Sequence, residues 1–261
     1  MRVMTFNLRF ENDRDGENAW YYRRGMVLEL IKHYKPAILG TQEGKWPQLM
    51  YLKEYLTDYT ANLPGREPDE KSQCPTLFFR KEWFAIDSGR DFWLSKTPEV
   101  HLSKDWDSAY PRMMSYAEIA GMQSGTRLMA GVTHLDHIGV EARYQQARII
   151  SEWVAQQELP VVMMGDFNDD PSSRVHEVLT EPTVHLRDTW EVVEGREDAG
   201  SYTHHGFNGI PQHARMDWIL VSPHFEVIDA RIIRDDFSGS YPSDHYPYMA
   251  DIRMGGMAEQ D

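Results

Sequence analysis

The sequence predicts a mixed α/β fold whose sheets are covered by helices. Short β-branched and aromatic runs alternate along the chain with segments of helical spacing, and extra strand pairs are inserted into that alternation. The polar residues that stand out nearly all follow strands, where ligands gather in folds of this kind. The chain has 261 residues, 41 % hydrophobic and 12 % aromatic, enough for a sizeable core and against a disordered or fibrous chain.

Residues 1–8 are mostly apolar and read as a buried strand ending at Asn7. Tyr22, Met26, Val27, Leu30, Ile31 and Tyr34 fall at helical spacing, giving an amphipathic helix over 20–34 that Pro36 stops. Residues 37–40 form a second strand that delivers Gln42 and Glu43 at its end. Residues 47–56 read as a helix with Leu49, Leu52 and Leu56 on one side, and 63–75 as a polar, Pro-rich loop. Residues 76–80 and 83–94 are strands. Residues 95–112, with Pro98 and Pro111, are a long loop. Residues 113–121 and 127–134 form a strand pair around a Gln-Ser-Gly turn. Ala147, Ile150, Trp153 and Val154 mark a helix over 139–158. Residues 161–164 are a buried strand that ends in Gly165-Asp166-Phe167-Asn168, and a short helix follows at 172–180. Strands at 216–221, 225–233 and 246–253 complete the set. Residues 1–253 therefore read as one domain and 254–261 as a frayed tail.

Composition narrows the function. One cysteine, Cys74, excludes an intrachain disulfide framework and makes a reducing, cytoplasmic setting the expectation. No stretch approaches the roughly 18 apolar residues of a membrane span, and the apolar stretch at the N-terminus is too short for a signal peptide. The net charge is −14, from 41 acidic and 27 basic residues. Such a chain is repelled by polyanions, so nucleic acid is a disfavoured partner.

The strand ends carry carboxylates and amides: Asn7, Glu43, the pair Asp166 and Asn168, and Asp217. Ser243-Asp244-His245 precedes a strand, and Thr133-His134-Leu135-Asp136-His137 ends one. Taken singly, each has a bland explanation as a turn, a cap or a solvated acid. Asp217 has the weakest one, because a charge inside Met216-Asp217-Trp218-Ile219-Leu220 is costly unless paired. Residues i and i+2 of a strand share a side, so Asp166 and Asn168 can address one ligand. Carboxylate oxygens suit a hard cation such as Mg²⁺, and a His needs a carboxylate partner, which Asp217 can supply to His245. That inventory suits metal-assisted attack of water on a phosphoester.

Phe6-Asn7, Gln42-Glu43, Thr133-His134-Leu135, Gly165-Asp166-Phe167-Asn168, Met216-Asp217-Trp218 and Ser243-Asp244-His245 occur in the order of the endonuclease/exonuclease/phosphatase superfamily. The resemblance runs from residue 4 to about 250. The segment 92–98, with Trp106-Asp107 and Pro111-Arg112, also resembles a small group of bacterial members close to the nocturnin and deadenylase-like branch. The resemblance implies a four-layer α/β sandwich of two packed mixed sheets flanked by helices, and a metal-dependent phosphoesterase using Mg²⁺ or Mn²⁺. It implies Glu43 as the chief metal ligand, with Asn7 beside it and Asp244 nearby. Asp166 would orient or deprotonate the attacking water, and Asn168 would hold that water or a phosphate oxygen. His245, paired with Asp217, would polarise the phosphate. His134 matches a second His of the pancreatic deoxyribonuclease and sphingomyelinase branches, where it would stabilise the transition state or protonate the leaving group. Arg9, Arg112 and Arg143 are candidate phosphate grips, since Arg holds phosphate in two-point fashion. Abasic-site endonucleases carry an acid where this chain has Arg9, which argues against a second metal ligand there; Asp136 and His137 also lie outside the general pattern.

The expected function is phosphoester hydrolysis, as a phosphodiesterase or a phosphatase, on a small organic, sugar or nucleotide phosphate by a monomer with no membrane partner. The alternative is a nuclease on single-stranded RNA or DNA. Two other readings fit less well. His134-x-Asp136-His137 is part of a metallo-β-lactamase-like zinc signature, but Val132 stands where its first His belongs. A non-catalytic scaffold is opposed by the filled site positions.

Overall fold

The structure, a computed structural model, describes residues 1–66, 69 and 72–255. The predicted loop at 63–75 lies partly outside these residues, and the predicted tail does so from 256 on. The first strands and helices are β1 (Arg2–Asn7), α1 (Trp20–Tyr34), β2 (Ile38–Gln42), α2 (Trp46–Tyr55), β3 (Tyr59–Ala61) and β4 (Thr76–Arg80). The middle of the chain gives β5 (Phe84–Trp93), β6 (Met113–Gly121), β7 (Arg127–His134), α3 (Val140–Ala155) and β8 (Val161–Asp166). Then follow α4 (Arg174–Thr180), β9 (Arg187–Asp188), α5 (Thr189–Val192), β10 (Asp217–Val221), β11 (Phe225–Ile232) and β12 (Tyr248–Met254).

Two six-stranded mixed sheets result, ordered β11-β12-β1-β2-β4-β3 and β5-β6-β7-β8-β10-β9. β1 runs parallel to β2 and β7 parallel to β8; the other pairings are antiparallel. The central strands are apolar on both faces, and period-2 alternation sends their side chains to different layers. Val3, Ile38, Phe79, Val132, Val162, Met164 and Ile219 meet between the sheets. Met4, Phe6, Leu39 and Phe78 point outward under Val27, Ile31, Leu49 and Leu52 of α1 and α2. Met129, Val161, Met163 and Leu220 point outward under Ala147, Ile150 and Leu179 of α3 and α4. The layers are therefore helix, sheet, sheet, helix, as the sequence predicts.

The segments missed by sequence are the short ones: β3, β9, α5 and a 3-10 turn at Asp13–Asn18. Two to six residues are too few to establish a period. They form here because a neighbour supplies the hydrogen bonds, as β4 does for β3.

Candidate active site

β1, β2, β7 and β8 end at the same edge of the sandwich, and β10 begins there. The register places His134 beside Asp166 across β7 and β8, and Asp166 opposite Asp217 across β8 and β10. In the other sheet Asn7 sits beside Gln42, so Glu43 follows immediately. Gly165 permits the close approach at this edge: a Cβ there would lie 2.3 Å from the carbonyl oxygen of Thr133. The 242–245 segment is tied to β1 by Ser243 Oγ, which donates to the Asn7 carbonyl (2.6 Å). Buried Arg23 of α1 completes the frame. Its guanidinium donates to the carbonyls of Leu8, Arg9, Asn18 and Pro242, joining the chain after β1 to the chain before His245. Arg9, Glu43 and Asn168 all have left-handed backbones (φ 53°, 62° and 51°). Non-glycine residues in that region cluster where surrounding structure dictates a functional geometry.

Asn7 Nδ2 donates to Asp166 Oδ2 (2.9 Å) and lies 3.4 Å from Glu43 Oε1. Asp166 Oδ1 accepts from the Asn168 N–H (2.9 Å), and Asn168 Nδ2 donates to the Leu135 carbonyl. His245 Nδ1 is 2.8 Å from Asp217 Oδ2. The Nε2 atoms of His134 and His245 lie 3.5 and 3.8 Å from Asp166 Oδ2. The two imidazoles are in opposite states. Burial alone would lower His245, but the Asp217 carboxylate outweighs it and pushes the imidazole up to about 10, so it is charged at neutral pH. Burial, reinforced by Arg112, holds His134 well below the ordinary imidazole value, so it is neutral. Burial and the Asp217 charge push Asp166 up to about 7, near the working range of a general base.

The donor set accommodates a divalent cation. Burial and the facing Asp244 raise Glu43 above the usual carboxylate range, the mark of two acids held together without a full counter-charge. Arg9 offsets them only in part: it is bound two-point by Asp15 (3.0 and 3.0 Å) and stands 3.8 Å from Asp244. Glu43 and Asp244 offer the hard oxygen ligands that Mg²⁺ or Mn²⁺ takes, and Asn7 Oδ1, which accepts from the Arg9 N–H (2.9 Å), stands behind them. Asp166, Asp217 and His245 also converge within 4.8 Å, where His245 Nδ1 is already paired with Asp217 Oδ2. The His176, Asp188 and Glu191 group is balanced by Arg215 at 2.8 Å from Asp188.

These groups open into a cleft of about 1020 Å³. Glu43, Asp166, Asn168, Asp244, His134, His245, Arg9 and Arg112 line it, and Asn7 and Asp217 stand behind them as hydrogen-bond partners. Arg143 does not line it. Its Nε donates to Asp169 (2.8 Å) and its Nη1 to the Asp136 carbonyl (2.9 Å), so it braces two loops instead of meeting a phosphate. His204 and His213 line the cleft and escaped the sequence reading. Their rings lie 5.3 Å apart, and His204 is 5.1 Å from His245. The available signal was the His204-His205 doublet and the single His213 in the polar loop that leads to Met216-Asp217. A second cavity, about 540 Å³, lies at the opposite end of the strands among Trp83, Leu128 and Ile252; its lining is mostly apolar, without a convergent set of titratable groups.

The Endonuclease/Exonuclease/phosphatase family profile matches residues 4–245. The chain belongs to this family. Its members are phosphoester hydrolases that depend on a divalent metal, and this chain is such a hydrolase. Among solved structures it is similar to a family member from Bacteroides vulgatus, with 30% identity, a TM-score of 0.88 and 97% and 98% of the two chains covered. It is also similar to a mannosyl-6-phosphatase from Bacteroides thetaiotaomicron, with 28% identity, a TM-score of 0.87 and 97% and 100% covered. The catalytic domain of human nocturnin shares the fold at 22% identity, a TM-score of 0.74, and 97% and 93% coverage. No curated protein matches by sequence. Among the described residues no helix is long and apolar enough to cross a membrane.

Proposed function

We propose that this family member hydrolyses a phosphomonoester of a small hydroxylated compound, a sugar phosphate being the nearest class, with Mg²⁺ or Mn²⁺ at Glu43 and Asp244, backed by Asn7. The observation that carries the reading is the meeting of a proton-accepting carboxylate, a charged His and a neutral His at one oxygen of Asp166. Asp166, oriented by Asn7 and the Asn168 N–H, takes the proton from the attacking water. Asn168 holds that water against the phosphorus. Charged His245, steadied by Asp217, neutralises a phosphoryl oxygen as the P–O bond breaks. His134 is neutral, so it serves as a hydrogen-bond donor to a phosphoryl oxygen and not as the acid for the leaving group. The leaving oxygen keeps the electron pair of the broken P–O bond and takes a proton from cleft water, and Asp166 returns the proton it accepted to solvent. A divalent cation held by Glu43 and its neighbours would supply further charge neutralisation. Arg112 grips a second phosphoryl oxygen.

The mannosyl-6-phosphatase likeness over nearly the whole of both chains supports a sugar phosphate. So does the charge of −14, which opposes a long polyanion. The test compares a hexose 6-phosphate, p-nitrophenyl phosphate, bis-p-nitrophenyl phosphate and a fluorescent single-stranded RNA, with and without Mg²⁺ or Mn²⁺. The expected result is metal-dependent release of phosphate from the monoesters, abolished in Glu43→Gln, with the RNA intact. RNA cleavage, or a fully active Glu43→Gln protein, overturns the reading.

A further inference from the structure

The Asp136 carboxylate has no place in the chemistry above, yet it is fully buried and every part of it is bonded. Oδ2 accepts from Ser108 Oγ (3.2 Å), the Ala109 N–H (3.0 Å) and the Tyr110 N–H (3.2 Å). Oδ1 accepts from the N–H groups of Ile138 (3.0 Å) and Gly139 (2.7 Å). The Asp136 backbone is held in turn: its N–H donates to Gln146 Oε1 (2.9 Å), and its carbonyl accepts from Arg143, which Asp169 anchors. One carboxylate, fixed to α3 and to the loop after Asp166, thus receives the whole 108–110 turn.

That turn leads directly to Arg112, which enters the cleft beside His134. Arg112 Nε stands 3.5 Å from Asp136 Oδ2 but makes no hydrogen bond, although it is buried. Its Nη2 lies 3.0 Å from His137 Nδ1, and the His137 ring stacks on Tyr110 (5.8 Å, 15°). The guanidinium is aimed by Asp136 and His137 without being fully consumed by them. An arginine so held loses little freedom on gripping an oxyanion.

We propose that Asp136, with His137 as its second contact, is the positioning residue that sets Arg112 for the phosphoryl group; this rests on the reading of the cleft as a phosphoester site. Asp136 and His137, which lie outside the general family pattern, then form an arginine-positioning device of this chain.

A double-mutant cycle tests it. Asp136→Asn, His137→Ala and Arg112→Ala, singly and with Arg112→Ala combined with each of the others, are measured for kcat and KM on p-nitrophenyl phosphate with Mg²⁺. The same set is measured for binding of inorganic phosphate by calorimetry. The expected result is that Asp136→Asn raises KM and weakens phosphate binding about tenfold, the cost of one misplaced charge-assisted hydrogen bond, with kcat little changed. His137→Ala has the same sense and a smaller size. Neither has a further effect in the Arg112→Ala background. Effects that multiply in that background, or phosphate binding unmoved by Asp136→Asn, overturn the proposal. If Asp136→Asn fails to fold, His137→Ala carries the cycle, since His137 is exposed. Coupled phosphate binding without hydrolysis sinks the phosphomonoester reading and leaves this proposal standing. Hydrolysis without coupling does the reverse, and a wild type that binds no phosphate sinks both.

Discussion

Asp217 and His245 show how one residue sets another's charge. Fully buried, Asp217 has one oxygen on His245 Nδ1 and one, Oδ1, with no hydrogen-bond partner among the described residues. Asp217→Asn removes the charge that keeps His245 protonated. Turnover should fall about 10²- to 10⁴-fold, nearly as far as for His245→Ala, while the far-UV circular dichroism stays that of the wild type. The Glu43–Asp244 pair makes a second residue-scale prediction. Burial of the Glu43 charge, reinforced by the facing Asp244, costs stability until a cation arrives. Mg²⁺ should therefore raise the melting temperature of the wild type. Glu43→Gln should melt slightly higher than the metal-free wild type and lose the Mg²⁺ shift. A Glu43→Gln protein that still shows the full shift would move the metal site elsewhere. These residue types were legible in the sequence, because charged groups at strand ends stand out against apolar runs. Their protonation states were not, since burial and the nearest charge decide them.

Strand ends and the loops after them position the site. Gly165→Ala would press a Cβ against the Thr133 carbonyl and separate β8 from β7 just before Asp166. The expected cost is about 1–3 kcal/mol in urea unfolding, with loss of activity as Asp166 shifts. The loop held by Asp136 has a pH signature. Burial alone would raise the Asp136 carboxyl, but the N–H groups of Gly139, Ile138, Ala109 and Tyr110 outweigh burial and bring it from 3.8 to about 2. A depressed carboxylate stabilises the fold above its unfolded value and loses that contribution as pH falls. The resulting stabilisation, about 2 kcal/mol, should be fully present at neutral pH and fade between pH 3.8 and about 2. Denaturation of wild type and Asp136→Asn across that range measures it as a gap that closes on acidification. Asp136 was visible in the sequence only as a departure from a pattern. Its bonds to 108–110 cross a loop whose path sequence periodicity does not encode.

At the scale of the whole molecule, net charge sets the approach of substrate. A chain of charge −14 repels a phosphate dianion at long range, and salt screens that repulsion. The kcat/KM for a phosphomonoester should rise severalfold as ionic strength goes from about 10 mM to about 150 mM. A fall instead would mean that the mouth of the cleft is locally positive and dominates the encounter.

The sequence by itself determined the α/β class, the order of the long elements and the chemistry-bearing residues at the strand ends. Each of these follows from local periodicity and from the cost of placing charge beside an apolar run. Only the tertiary structure decided which groups meet. It brought Asp166 from one sheet within 2.9 Å of Asn7 from the other. It added His204 and His213 to the cleft, and it turned Arg143 from a candidate phosphate grip into a brace between Asp136 and Asp169. Those outcomes depend on how two sheets pack and where long loops return, and residues far apart in the chain carry no local mark of that meeting.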